Sequence, residues 1–572
     1  MRWELVASLV ISAVVTGVSA RRSLAHVGIG LEEAMDASRP MAPRGVPFNH
    51  WTRSGPLAKR FDNANTTQFA INGTGIPDVD FDIGEAYAGR MSISDDLDGP
   101  DKLYFWFQPS PNPAASNEIV IWLNGGPGCS SLEGFLQENG PFLWQYGTYK
   151  PVANAWGWHH LTNIVWVEQP IGTGFSTGTV TATSETDVAA QFMGFWKNFI
   201  NTFSMQGYKV YITGESYAGM YCPYIASAML DANDTTYYNM SGMIIYDPSI
   251  ATSGLQTDIT AVPFVDYHKN LFPFNDTYFA QLHALDETCG YADFREKYLR
   301  YPPVSHLPSP PYGVNATTGE RIPGCSGLRS AVQRAVTLLN PCFDIYAVAT
   351  TCPLLWDVLG FPGSFDYLPD GASIYFDRQD VKAAINAPLD VTWEECGGPV
   401  FIGGDHSAPS ANTVLGGVVD RTKNVIIGHG ELDMILIANG TLLAIQNMTW
   451  GGKLGFQRRP TEPFYVPYHH AGADPTLAGA GVFGTTHTER GLTYVGINLS
   501  GHMVPQYAPS AAYRHLEFLL GRVDSLSSTA PFSTDTGVSQ STQPLGQGTA
   551  PQGYSNTSPC KKRRRSIEHT EV

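Results

Sequence analysis

Apolar runs recur along much of the chain: LYFWFQ from Leu103, IVIWLN from Ile119, NIVWVEQ from Asn163, KVYITG from Lys209, MIIYD from Met243 and NVIIGHG from Asn424. Several are continuously apolar, without the alternation of a strand that has one wet face. Such strands are buried on both sides, as in a parallel sheet. Between them lie stretches with helical spacing, such as ETDVAAQFMGFWKNFINTF after Ser184. Strands alternating with helices predict an α/β fold with a mostly parallel central sheet. The rhythm breaks from about 250 to 400, where five of the eight cysteines fall and prolines are frequent. That stretch reads as a disulfide-containing insertion over one end of the sheet.

The patterned region runs from 61 to 522. Before it, MRWELVASLVISAVVTGVSA has an arginine, a short apolar run and small residues at Val18 and Ala20, the marks of a signal peptide over residues 1–20. Residues 21–60 are rich in Arg, Pro and Gly and end in Lys59-Arg60, so they are a candidate pro-segment or an uncut exposed arm. Residues 523–572 are Ser/Thr/Gly/Pro/Gln-rich with a basic end, and are expected to be a disordered tail. No apolar tail follows that would be a membrane anchor. A net charge of −17 and an isoelectric point near 5.3 argue against nucleic acid as a partner and suit a mildly acidic compartment. Export is also expected from the N-x-S/T tripeptides at Asn65, Asn72, Asn233, Asn239, Asn275, Asn315, Asn439, Asn447, Asn498 and Asn556. The cysteines lack zinc-site spacing, which leaves disulfides as their reading and an oxidising compartment as their setting.

One stretch carries chemistry. In ITGESYAGMY, from Ile212, an apolar strand stops at Gly214 and Ser216 sits between Glu215 and Tyr217. Ser216 is either a helix cap or the nucleophile of a strand–turn–helix elbow, with Ala218 where the general pattern has glycine. A nucleophilic serine needs a base and an orienting acid, which in this fold follow in the order acid, then histidine. Asp433 in NVIIGHGELDMI and His502 in YVGINLSGHMVPQ each lie just beyond an apolar strand, in that order. The pairs His159-His160 and His469-His470 have neither that context nor metal-ligand spacing, and are read as structural. Upstream, Gly125-Gly126-Pro127-Gly128 follows a buried strand, where bare backbone can approach a substrate. Its amides could join that of Tyr217 in an oxyanion hole.

With these residues the chain resembles the serine carboxypeptidase family of the α/β-hydrolase fold, in its fungal secreted or vacuolar branch. The matching pieces are WLNGGPGCSS at 122–131, ENGP at 138–141, QPIGTGFS at 169–176, GESYAG at 214–219, Asp433 and GHMVP at 501–505. The resemblance implies Ser216, Asp433 and His502 as a triad, and Gly126 and Tyr217 as oxyanion donors. It implies that Asn124, Gly125, Glu138 and Glu215 hold a substrate's terminal carboxylate, and that Cys129 pairs with Cys396. Met220 stands where a histidine is common, and Leu436 where some members carry a free cysteine. The implied activity is release of C-terminal amino acids from peptides and proteins through an acyl-enzyme, without metal or organic cofactor. Acyl transfer to an alcohol and an idle binding protein on the same fold are the alternatives. Glu138 and Glu215 are expected to share a proton and so to favour substrate binding in acid. Nearness in sequence suggests nested pairs Cys289–Cys352 and Cys325–Cys342, with Cys222 a buried free thiol.

Overall fold

Every one of those apolar runs forms a strand. The structure, a computed structural model, describes residues 59–315, 317–360, 368, 372–470, 479–534 and 539–540. The expected signal peptide, nearly all of the candidate pro-segment and Asn556 lie outside these residues. In chain order the main sheet comprises β1 (Ala70–Ile71), β2 (Ala86–Ser92), β3 (Lys102–Gln108), β4 (Glu118–Leu123), β5 (Asn163–Glu168), β6 (Lys209–Glu215), β7 (Asn239–Tyr246), β8 (Val425–Gly430), β9 (Glu462–Val466), β10 (Gly481–Glu489) and β11 (Leu492–Ile497). Their order across the sheet is β1-β2-β3-β5-β4-β6-β7-β8-β11-β10-β9. The strands from β5 to β11 in that order are parallel, and both margins are antiparallel.

Both faces of this sheet are covered. Along β4, Ile119, Ile121 and Leu123 enter one apolar core while Val120 and Trp122 enter the other. The first core is completed by helices α1 (Glu185–Phe203) and α2 (Ala218–Ala232), and the second by α3 (Pro509–Leu519) and buried tryptophans. This double burial is why the runs carry no alternation.

The insertion grips the sheet's carboxyl end. The amide of His502 donates to the Tyr346 carbonyl at 2.8 Å, and that of Met434 to the Ile345 carbonyl at 3.0 Å. Cys129–Cys396 forms, but the nested pairing does not: the bonds are Cys289–Cys325 and Cys342–Cys352. A helix, Leu328–Leu339, lies between Cys325 and Cys342 and sets them at its opposite ends. Its twelve residues span about 18 Å, whereas bonded cysteines have Cα atoms roughly 4.4–6.8 Å apart. Cys222 is a buried free thiol, as expected.

The packed chain also continues beyond 522. Arg514, fully buried beside Glu517, donates to the carbonyls of Ser528 (3.1 Å) and Ala530 (3.0 Å), and Phe532 packs on Trp156 and Tyr513. The start of the expected disordered tail is therefore part of the fold. His469 packs edge-on against Trp156, in keeping with its structural reading.

Candidate active site

The strand ends assemble the site. Register pairs Glu215 with Tyr246, Tyr246 with Gly428 and Gly430 with Ile497, so β6, β7, β8 and β11 finish side by side. Ser216 follows β6, Asp433 lies three residues beyond β8, and His502 five beyond β11.

Ser216 does not cap the helix. Its φ of +60° is left-handed, and the residue entering α2 is Tyr217. A non-glycine residue held there is strained and persists only where its surroundings fix it. The Ser216 amide donates to the Tyr246 carbonyl at 2.9 Å, which anchors the turn. Close packing beneath excludes larger residues: a Cβ on Gly214 would lie 2.3 Å from the Leu123 carbonyl oxygen and 2.7 Å from the Ala218 Cβ. Likewise a Cβ on Gly125 would sit 2.4 Å from the Tyr217 nitrogen. The glycine loop is thus pressed against the elbow, and the N–H groups of Gly126 and Tyr217 have no acceptor among the described residues.

Asp433 and His502 are buried together. His502 Nδ1 donates to Asp433 Oδ2 at 2.8 Å, while His502 Nε2 is buried with no partner among the described residues. The other oxygen, Asp433 Oδ1, accepts from the Ile435 amide at 2.7 Å, a local turn that fixes the carboxylate. The Tyr346 ring packs edge-on to His502 at 5.3 Å.

On the other side of Glu215 lies a cluster of acids. Oxygens of Glu133, Glu138 and Glu215 all fall within 4.8 Å of one another, fully buried. The Asn124 amide donates to Glu215 Oε1 at 3.0 Å and to Glu133, and its oxygen accepts from Trp122 Nε1 at 2.7 Å. Burial, then the neighbouring Glu215 and Glu133, holds Glu138 well above the ordinary carboxylate range. Burial, then Glu133, does the same to Glu215. Glu133 is pushed up to about 7, mainly by burial. The cluster therefore keeps protons that exposed glutamates lose, and protonated carboxyls can donate to an anion.

Two groups are close enough to hold a cation, these glutamates and Asp247, Asp433 and His502. In each, oxygens facing the centre already accept hydrogen bonds, from Asn124 in one and from His502 Nδ1 in the other.

Sequence reasoning brought Ser216, Asp433, His502, Gly125, Gly126, Tyr217, Asn124, Glu138 and Glu215 to one end of the sheet, and they lie there. It missed Glu133, Tyr346, Asp247 and His429. Asp247 had a readable signal: it directly follows an apolar strand, as Asp433 follows one three residues on.

A family model described as serine carboxypeptidase matches residues 77–521. The chain is 53% identical over 522 residues to a probable serine carboxypeptidase of Arthroderma benhamiae, covering 88% of this chain and 95% of that one. It is 47% identical over 486 residues to serine-type carboxypeptidase F of Aspergillus niger, covering 82% and 89%. A crystal structure of a prohormone-processing carboxypeptidase from Saccharomyces cerevisiae superposes with a TM-score of 0.62 at 22% identity, over 80% of this chain and 96% of that one, which shows the shared fold.

Proposed function

The chain belongs to the serine carboxypeptidase family and is a serine-type carboxypeptidase, and we propose that Ser216 is its nucleophile, His502 its general base and Asp433 the acid that orients the base. Ser216 Oγ attacks the last peptide carbonyl while His502 Nε2 takes its proton. Asp433 holds the imidazole through Nδ1 and stabilises the imidazolium. The N–H groups of Gly126 and Tyr217 receive the developing oxyanion. His502 then protonates the leaving amine, the C-terminal amino acid departs, and water repeats the sequence on the acyl-enzyme.

Asn124, Gly125, Glu138 and Glu215, with Glu133 added, receive the terminal carboxylate. An array of ionised acids would repel it, whereas protonated ones donate to it, so peptide binding belongs to acid and neutral pH. The observation that carries the catalytic assignment is the divided role of His502: Nδ1 is committed to Asp433 and Nε2 is buried and free. Replacing Ser216 with Ala tests it. Turnover should fall by about 10⁴–10⁶-fold with peptide binding largely intact. Near-wild-type turnover in a preparation free of other peptidases would remove Ser216 from the mechanism.

We assign the enzyme to the secretory route, outside the cell or in the vacuole, on its disulfides and its N-x-S/T sites. Among the described sites, Asn65, Asn72, Asn233, Asn275, Asn315 and Asn498 are exposed. A mass decrease on treatment with a peptide N-glycosidase is the expected result.

A further inference from the structure

This inference rests on the proposed roles of Ser216, Asp433 and His502, and it begins from a difficulty they raise. A general base must be neutral to accept the serine proton, yet a peptidase suited to acid pairs its histidine with a carboxylate that favours the imidazolium.

Directly behind Asp433 is a second, fully buried aspartate. Asp247 is the first residue after β7, held at a φ of +42°. Its amide donates to the Gly428 carbonyl at 2.9 Å, and its Oδ1 accepts from the Gly430 amide at 2.9 Å. Its Oδ2 is buried with no partner among the described residues. One oxygen of Asp247 lies within 4.8 Å of both the Asp433 carboxylate and the His502 ring. A short polar side chain tolerates this backbone better than most, but the position does not require an acid; asparagine would serve equally.

Among the described residues no cation answers Asp247. His429 Nε2 is 3.3 Å from its Oδ1 and 3.9 Å from Asp433 Oδ2. That ring donates instead to the Leu436 carbonyl at 2.8 Å, and burial pushes it down to about 4, so it stays neutral. The other titratable groups facing Asp247 are Tyr246 from its own strand, Glu215 from β6, Tyr494 from β11, and Asp433 and His502 themselves. Arg329, from the insertion, interacts with Asp433 but not with Asp247.

We propose that Asp247 is a positioning residue that keeps its proton on Oδ2 and directs it toward Asp433, making a carboxyl–carboxylate–imidazole chain behind Ser216. Burial and the charge of Asp433 hold Asp247 well above the ordinary carboxylate range, which agrees with the geometry. The charge of Asp433 is then spread over the Asp247 hydrogen bond as well as those from His502 Nδ1 and the Ile435 amide. Asp433 still orients His502 but grips the imidazolium less.

The sign follows directly. Loss of the Asp247 donor concentrates charge on Asp433, favours the imidazolium and moves the acid limb of kcat/KM to higher pH. Loss of an ionised Asp247 would instead remove a negative charge and move that limb to lower pH. The test uses the full-length enzyme and a blocked amino-acid ester, which lacks the terminal carboxylate and so bypasses the glutamate cluster. The Asp247→Ala variant should raise the acid limb by about one pH unit, while Asp247→Asn, which restores a neutral donor, should leave the limb where the wild type has it. A downward shift in both variants, or no shift in Ala, overturns the proposal. Should the Ala variant not fold, infrared difference spectra decide: Asp247→Asn must lose the carbonyl band of one protonated carboxyl at neutral pH, and its retention sinks the idea. Failure of the wild type to turn over the ester would be a failure of the catalytic assignment, not of this one.

Discussion

Replacing Glu138 with Gln tests the carboxylate site at its most exposed assumption, that protons are held there at working pH. At an effective dielectric of about 20, two unit charges at the 4.8 Å limit of the cluster repel by about 3–4 kcal/mol. Three ionised glutamates are therefore excluded while the site stays buried, and a substrate carboxylate adds a further charge. A hydrogen bond to a charged group contributes about 1.5–3 kcal/mol, so a mispaired terminus should lower kcat/KM by about ten- to a hundredfold. Because burial and the neighbouring glutamates raise Glu138 and Glu215 well above the ordinary range, donation to the substrate is complete in acid and is lost as pH climbs and the cluster gives up its protons. The assay is KM against pH for matched peptides ending in a free carboxylate or an amide. In the wild type the free acid should bind progressively worse above neutrality while the amide does not. Gln keeps a donor that cannot ionise, so the Glu138→Gln variant should flatten that loss. Identical pH dependence for both substrates in the wild type would refute the reasoning.

The insertion and the buried acids yield further tests. Cys342–Cys352 closes the loop whose Tyr346 carbonyl receives the His502 amide. Replacing both cysteines with Ser should lower the melting temperature by several degrees, as for the loss of about 2–3 kcal/mol, and should lower kcat more than it raises KM; an unchanged kcat at a reduced Tm would separate the loop from catalysis. Glu133, Glu168 and Glu431 are each raised to about 7, first by burial. Below about pH 4.5 both folded and unfolded chains hold these protons. As pH rises to about 7 the unfolded chain gives them up first, at a cost of about 3 kcal/mol of stability per group. Melting scans should therefore show a more stable protein at pH 5 than at pH 8, and the reverse order would contradict these burial-driven shifts.

The physical terms that sequence displays were enough for the sheet and the elbow, and not for contacts made by turning chain. Strands buried on both faces advertise themselves as apolar runs, and each run noted proved to be a strand. The margins did not: Ala86–Ser92 and Gly481–Glu489 are antiparallel, and the second is broken by Gly484 and by exposed Val482, Thr485 and Thr488, so no run stands out. Ser216 needed the backbone, because only its positive φ separates a nucleophile's turn from a cap. Glu133 was hidden by a change of helical period. Five residues apart on an α-helix, Glu133 and Glu138 would point well away from each other, but a π-type turn over Phe135–Asn139 follows the short helix Ser131–Gly134. Pairing at i and i+5 is what a π turn favours, and it brings the two carboxyls together. The cysteines show the opposite lapse, a signal present but not weighed. LRSAVQRAVTLL between Cys325 and Cys342 places apolar residues at helical spacing (Leu328, Val332, Val336), and those side chains are the ones buried. A helix of that length is a rigid spacer that sets the two cysteines at its opposite ends and works against the nested bond.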